Sequence, residues 1–359
     1  MATESSWIDR YDYFDFGSGY DNGTEEDCLL QALPHARWIL PTLYSIFFIL
    51  GLLGNMVVIA VVSMRSSRRA DTFILNLATS DLIFILTLPL WASSLAQEGY
   101  WSFGIFLCRL SSFATAVTRC SSSLLMAIMS VDRYLAVIKG TKVHPLRTRS
   151  CSILACGVIW FVSLLIGCPS LITRNLSVPG SACEDSDLFP FISGFKIAVI
   201  FLTFAFPFAV VVFCYCRMAK YLWNYFASQE GTLKSTGKPR RGHSWLRIVT
   251  CIVGVYCFSW LPFNTLNTLK AMEQFGVNMS CSSKVAINQA LSAASALAFA
   301  NSCTNPLIYG LLDTGFKRRA QLAMPRLFLT CRTLLPIPGW TIATTSGSME
   351  STSTYTGNR

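Results

Sequence analysis

Charge is what this chain has least of. Only 13% of its 359 residues are Asp, Glu, Lys or Arg, where a soluble domain carries about 25%. That is too little polar surface to keep one or two domains of this length in water. Histidine is scarcer still, with three residues (His35, His144 and His243), none inside a long apolar stretch. There is no His-Glu-x-x-His pair, no phosphate-cradling glycine loop and no Ser-His-Asp candidate, so an enzyme is not expected. Cysteine is plentiful at 14, but no Cys-x-x-Cys pair occurs, and a metal site has no signature. No apolar leader precedes the polar first 33 residues, so the first apolar span is expected to act as the insertion signal.

Apolar residues are abundant instead. They make up 52% of the chain, with 25 Phe, 12 Tyr and 9 Trp, a composition that excludes disorder. A helix that crosses a bilayer needs about 20 mostly apolar residues. Seven stretches qualify, spans one to seven: 38–64, 72–97, 104–138, 150–173, 190–216, 245–271 and 284–311. The third is the least clean, because Arg119 sits in its middle. The fold class expected is an all-α membrane protein, a seven-transmembrane helix bundle. No internal repeat is visible, which removes support for an inverted-repeat transporter.

The formal charge of +10 is unevenly spread. Twenty of the 29 basic residues fall after spans one, three, five and seven, which places those segments in the cytoplasm against an anionic leaflet rather than on nucleic acid. Residues 1–33 hold eight acids and one base, Arg10. Glycosylation sequons at Asn22, Asn175 and Asn278 all fall on the opposite side from the basic segments. The N-terminus is therefore expected outside and the C-terminus inside. Four cysteines lie in or beside outer segments, where oxidation is favoured. Cys108–Cys183 would pin the loop after span four to span three, and Cys28–Cys281 would tie the tail to the start of span seven. The other ten read as buried thiols, with Cys331 a candidate for palmitoylation.

Ionisable groups inside a membrane are costly and by default mark function. Asp81 lies mid-span two, and Ser122, Asn301, Ser302 and Asn305 are polar residues that could share its site. Such a set suits either a hard cation such as Na⁺ or a purely structural hydrogen-bond network. Asp132-Arg133-Tyr134 closes span three, as a snorkelling arginine with its counter-ion or as a switch in which Arg133 is released. Arg119 has no acid one turn away. It pairs either with a distant acid or carbonyl, or with an anionic group on a ligand, such as a peptide's terminal carboxylate. Pro89, Pro169, Pro207, Pro262 and Pro306 place a bend in each of spans two, four, five, six and seven.

Together these residues resemble the class A (rhodopsin-like) G-protein-coupled receptors over about 38–325. The marks are Gly54-Asn55, Leu77-Ala-Thr-Ser-Asp81, Asp132-Arg133-Tyr134, Trp160, Pro207 with Tyr215, Cys257-Phe-Ser-Trp260-Leu-Pro262 and Asn305-Pro-Leu-Ile-Tyr309, followed by Phe316-Lys-Arg-Arg319. Thr87-Leu-Pro89, Trp101, Phe103-Gly104 and the spacing of Cys28 and Cys281 are similar to the chemokine and peptide chemoattractant branch. Within it, Thr118-Arg119-Cys120, Met129-Ser-Val-Asp-Arg-Tyr-Leu-Ala-Val137 and Pro145-Leu-Arg-Thr148 resemble a small orphan-like group. Two residues depart from the pattern: Ser295 stands where many chemokine receptors have an acid, and Tyr256 where Phe is usual.

The resemblance implies a division into an acidic extracellular tail (1–37), the bundle (38–311), an amphipathic membrane-parallel eighth helix (312–330) and a Ser/Thr-rich cytoplasmic tail (331–359). It implies a ligand pocket at Trp91, Thr115, Arg119, Trp260 and Ser295, and an allosteric Na⁺ site at Asp81, Ser122, Asn301 and Asn305. Asp132, Arg133, Tyr134, Tyr215, Trp260, Pro262, Asn305, Pro306 and Tyr309 would rearrange on activation. The partners implied are an extracellular peptide or chemokine-like protein, a heterotrimeric G-protein of the Gi/o class, receptor kinases and arrestin. Tyr11, Tyr13 and Tyr20 among the tail's acids are candidates for sulfation, which would favour a basic ligand. An opsin is disfavoured, since the one lysine of span seven, Lys284, stands at its outer start. An amine ligand is disfavoured because Thr115 replaces the expected acid. A lipid or small anionic metabolite is the alternative ligand, and a transporter the alternative class.

Overall fold

The computed structural model describes residues 36–64, 69–138, 148–176, 182–185, 191–229, 240–274, 277–313 and 315–323. Asn22, Cys28, Tyr11, Tyr13, Tyr20, Cys331 and the Ser/Thr-rich tail lie outside them.

Helices α1 (Ala36–Met64), α2 (Arg69–Ile85), α3 (Leu88–Ala96), α4 (Gly104–Ile138), α5 (Arg149–Gly167) and α6 (Ser170–Thr173) form spans one to four. Strands β1 (Arg174–Leu176) and β2 (Cys183–Asp185) follow, paired antiparallel. Span five is α7 (Phe191–Ile200), a π-helical turn (Phe201–Ala205) and α8 (Phe206–Gln229). Span six is α9 (Arg240–Gln274), span seven is α10 (Cys281–Leu312), and residues 315–323 form a short eighth helix. The bundle is closed by α1 against α2, α3 and α10, and by α9 against α10 and α7. The long α4 touches α2, α5, α8 and α9.

Among the described residues, five of the seven columns are apolar and long enough to cross a membrane: Ala36–Met64, Ala70–Ala96, Gly104–Ile138, Arg149–Thr173 and Ile197–Tyr221. The last two columns, α9 and α10, have the length, at 35 and 32 residues, but a more polar composition. Basic residues open α9, while α10 buries Asn301, Ser302 and Asn305. A helix can afford such groups only where they face protein rather than lipid. The outer surface is correspondingly greasy, with Leu154, Phe161, Ile172, Phe258 and Leu311 all well exposed.

The prolines act in two ways. Span two breaks at Leu86-Thr87 ahead of Pro89, where the Thr87 hydroxyl donates to the Phe84 carbonyl at 2.7 Å. Span four breaks at Cys168-Pro169, and span five widens into the π turn just before Pro207. Spans six and seven instead run helical straight through Pro262 and Pro306, and α1 contains a further proline, Pro41. Proline supplies no N–H and so frees the carbonyl four residues earlier. Two of the freed carbonyls are taken up by neighbouring helices. Asn55 Nδ2 donates to the Ser302 carbonyl at 2.9 Å, and the Tyr256 hydroxyl lies 3.4 Å from the Thr203 carbonyl.

The β1–β2 hairpin is fixed to span three. Cys108 at the start of α4 is disulfide-bonded to Cys183 on β2, with Cα atoms 5.7 Å apart. Arg109 Nε adds a bond to the Arg174 carbonyl at 3.0 Å. Cys281 is also disulfide-bonded; the expected partner, Cys28, is outside the described residues. Asn175 and Asn278, at two of the sequons, are exposed.

Candidate functional site

Arg119 sits on α4 and is turned toward α9. One Nη2 donates to Asn264 Oδ1, and the guanidinium carbon lies 5.4 Å from the Trp260 ring centre and 5.2 Å from that of Phe263. Its Nε is buried without a partner, and no carboxylate pairs with it among the described residues. Asn264 is 2% exposed and in turn donates through Nδ2 to the Trp260 carbonyl at 2.7 Å. The cation of span three is thus held by three residues of span six, all of them neutral.

Arg119 and Trp260 border a cavity of about 10 Å³ that Asp81, Ser122, Asn301 and Ser302 also line. That is room for about one water-sized particle. Asn305 Nδ2 donates to Asp81 Oδ2 at 2.8 Å. Ser122 and Ser302 are within hydrogen-bonding reach of the same carboxylate, while Asn301 Oδ1 is buried without a donor. Ser80, also buried, lies 2.7 Å from the Ser121 hydroxyl and 2.9 Å from that of Ser122, which extends the polar seam across spans two and three. A carboxylate flanked by a spare amide oxygen and hydroxyls is an oxygen-rich set of the kind a hard monovalent cation takes.

The structure brings Arg119 and Trp260 together but leaves the other expected pocket residues in separate contacts. Trp91 packs against Trp101 at 5.1 Å, and the Thr115 hydroxyl bonds back to Ser111 of its own helix at 2.8 Å. Ser295 lies 3.2 Å from the Tyr44 hydroxyl, joining spans seven and one. Asn264 and Phe263 were not legible as partners of Arg119. The available signal was a polar residue two positions after Pro262 in an apolar helix.

Residues 54–309 match the family described as 7 transmembrane receptor (rhodopsin family). The chain is 40% identical to the probable G-protein coupled receptor 25 of Mus musculus over 306 residues, 83% of this chain and 82% of the relative. It is 33% identical to apelin receptor A of Danio rerio over 333 residues, covering 88% and 89% of the two chains. It is 34% identical to the G-protein coupled receptor 15 of Mus musculus over 306 residues, 83% of each. The chain belongs to the rhodopsin family of seven-transmembrane receptors.

The receptor is therefore a multi-pass plasma-membrane protein and not an enzyme. At the C-terminal end of α4, Arg133 is 3.8 Å from Asp132 with side chains 19% and 14% exposed, a partly sheltered local pair. Tyr134 faces Phe213 of α8 with ring centres 6.2 Å apart, and Tyr215 packs beside Ala127, Val211 and Val253. Tyr309 is buried against Phe316 of the eighth helix at 6.1 Å. That helix is docked on the receptor by Arg319, which pairs at 3.2 Å with the fully buried Asp71 of α2. These tyrosines thus meet different neighbours, span five for Tyr134, spans three and six for Tyr215, and the eighth helix for Tyr309.

Proposed function

We propose that this receptor answers an extracellular peptide or chemokine-like protein that brings an anionic group, such as a C-terminal carboxylate, to Arg119. The observation that carries this is Arg119 itself, a buried guanidinium with one amide acceptor, two ring faces and a bare Nε. A desolvated cation is held far better by a carboxylate, which accepts two charge-assisted bonds, than by an amide oxygen. The body of the ligand is basic, because the outer tail carries eight acids against one base. A relative named as an apelin receptor supports a peptide ligand. The N-terminus faces outward and the C-terminus the cytoplasm, as the basic segments require. Signalling runs through Gi/o, and receptor kinases followed by arrestin act on the Ser/Thr-rich tail. Na⁺ held by Asp81, Ser122, Asn301 and Asn305 would act as an allosteric cation, working against the positive charge of Arg119 on the same cavity.

The test is inhibition of cAMP in cells by a panel of secreted basic peptides and chemokines, each as free acid and C-terminal amide. Wild type and Arg119→Gln are compared at matched surface levels, with and without pertussis toxin. An active free acid should lose at least about tenfold in potency on amidation and on Arg119→Gln, the ratio set by roughly 1.4 kcal/mol. Toxin should abolish the response. A response to a lipid or small anionic metabolite, with none to any peptide, would replace the ligand class.

A further inference from the structure

We infer that Asn264 is the positioning residue for Arg119: it tethers the cation of span three to span six, and anion recognition requires that tether to open. The inference rests on the anion reading for its second half only; the tether stands on the geometry.

Three features carry it. The orientation of the Asn264 amide is forced, because Nδ2 donates to the Trp260 carbonyl and Oδ1 receives Arg119 Nη2. A carbonyl can only accept and a guanidinium can only donate, so the opposite flip would lose both bonds. All three described partners of the guanidinium, Asn264, Trp260 and Phe263, are on α9, so the clamp joins two helices rather than two turns of one. The cavity beside Arg119, about 10 Å³, is far too small for a carboxylate. An anion therefore reaches the guanidinium only if Asn264 yields or the helices part. Asn264 is 2% exposed, so on release its amide oxygen is left buried and unsatisfied, an unstable arrangement that favours movement of span six.

The experiment is a double-mutant cycle on the purified full-length receptor, reading melting temperature, with basal cAMP inhibition in cells at matched surface levels. The variants are Asn264→Ala, Asn264→Asp, Arg119→Gln and the two pairwise combinations with Arg119→Gln. Asn264→Asp puts a carboxylate against Arg119 but gives up the bond to the Trp260 carbonyl, so its melting temperature should stand above that of Asn264→Ala and its basal signalling below. In the Arg119→Gln background the same change leaves a buried acid with no cation and should lower the melting temperature. The two effects should differ by at least about 1 °C, the shift per kcal/mol expected at this size. Asn264→Ala should raise basal signalling in the wild type and not in Arg119→Gln. Additive shifts throughout overturn the tether.

Benzoate is the carboxylate probe and benzamide its neutral control. Benzoate should stabilise Asn264→Ala more than wild type, and stabilise neither Asn264→Asp nor Arg119→Gln. Equal stabilisation of wild type and Asn264→Ala overturns the competition between anion and tether. No effect of benzoate on any variant, with the cycle non-additive, overturns the carboxylate reading and leaves the tether in place.

Discussion

Asn55 in span one donates to the carbonyl of Ser302 in span seven at 2.9 Å, and that carbonyl is free because Pro306, four residues on, has no N–H to offer it. The same Nδ2 also donates to the Gly51 carbonyl at 2.9 Å. Asn55 is fully buried, so both bonds form away from solvent. Asn55→Ala should lower stability by about 1–3 kcal/mol, because it strands a buried acceptor. Adding Pro306→Ala restores an N–H for Ser302 and should recover part of the loss. Melting temperatures of the purified single and double variants check this; an additive or worse double variant contradicts it.

The two spans come this close because Gly54 has no side chain. A Cβ there would meet the Pro306 ring at 2.9 and 3.1 Å. The proline ring cannot rotate away, so Gly54→Ala must push α1 from α10. The expected cost is about 1–3 kcal/mol, seen as a lower melting temperature and reduced surface expression. Unchanged values of both would show that the helices can part freely here.

Tyr256 reaches the carbonyl that Pro207 frees on span five, Thr203, at 3.4 Å. The bond is long, so its loss should be at the lower end of about 0.5–1.5 kcal/mol. Tyr256→Phe keeps the ring packing against Trp260 and Phe204 and removes only the donor. Easier separation of spans five and six should raise basal cAMP inhibition about twofold at matched surface levels. Basal signalling equal to wild type would make the hydroxyl irrelevant to the resting state.

Asp81 and Arg119 border one cavity. If Na⁺ binds at Asp81, replacing choline by Na⁺ at constant ionic strength should reduce basal signalling. Asp81→Asn should abolish that effect by removing the carboxylate. Arg119→Gln should strengthen it, because a cation no longer repels the ion. A sodium effect that survives Asp81→Asn would place the ion elsewhere.

The disulfide that holds the β1–β2 hairpin closes a separation of 75 residues between Cys108 and Cys183. Its removal by Cys183→Ser should cost about 2–5 kcal/mol and empty the cell surface of receptor, measured with an N-terminal epitope in unpermeabilised cells. Normal surface levels would mean that the hairpin stands on Arg109 and Arg174 alone.

Much of this protein could be read along the chain, because its strongest signals are local. A run of about 20 apolar residues is a helix wherever it lies in the bundle, and Asp132-Arg133-Tyr134 or Asn305-Pro306 declare themselves within a few residues. Prolines announced irregularities in spans two, four and five but not their form: a broken helix at Leu86-Thr87 and Cys168-Pro169, a π turn at Phe201–Ala205. Tyr256 serves the Thr203 carbonyl that Pro207 leaves over, whereas Thr87 bonds to Phe84, one residue before the carbonyl that Pro89 leaves over.

By itself the sequence determined the helices, their membrane character and the presence of a cation inside span three. Only the tertiary structure decided what that cation meets. The partner of Arg119 is Asn264, 145 residues away, and nothing in the sequence spacing relates them. Hydropathy sets where a helix lies in the bilayer and leaves its rotation about its own axis open. That rotation is set by packing against every neighbour at once, and it brings an amide rather than an acid to Arg119.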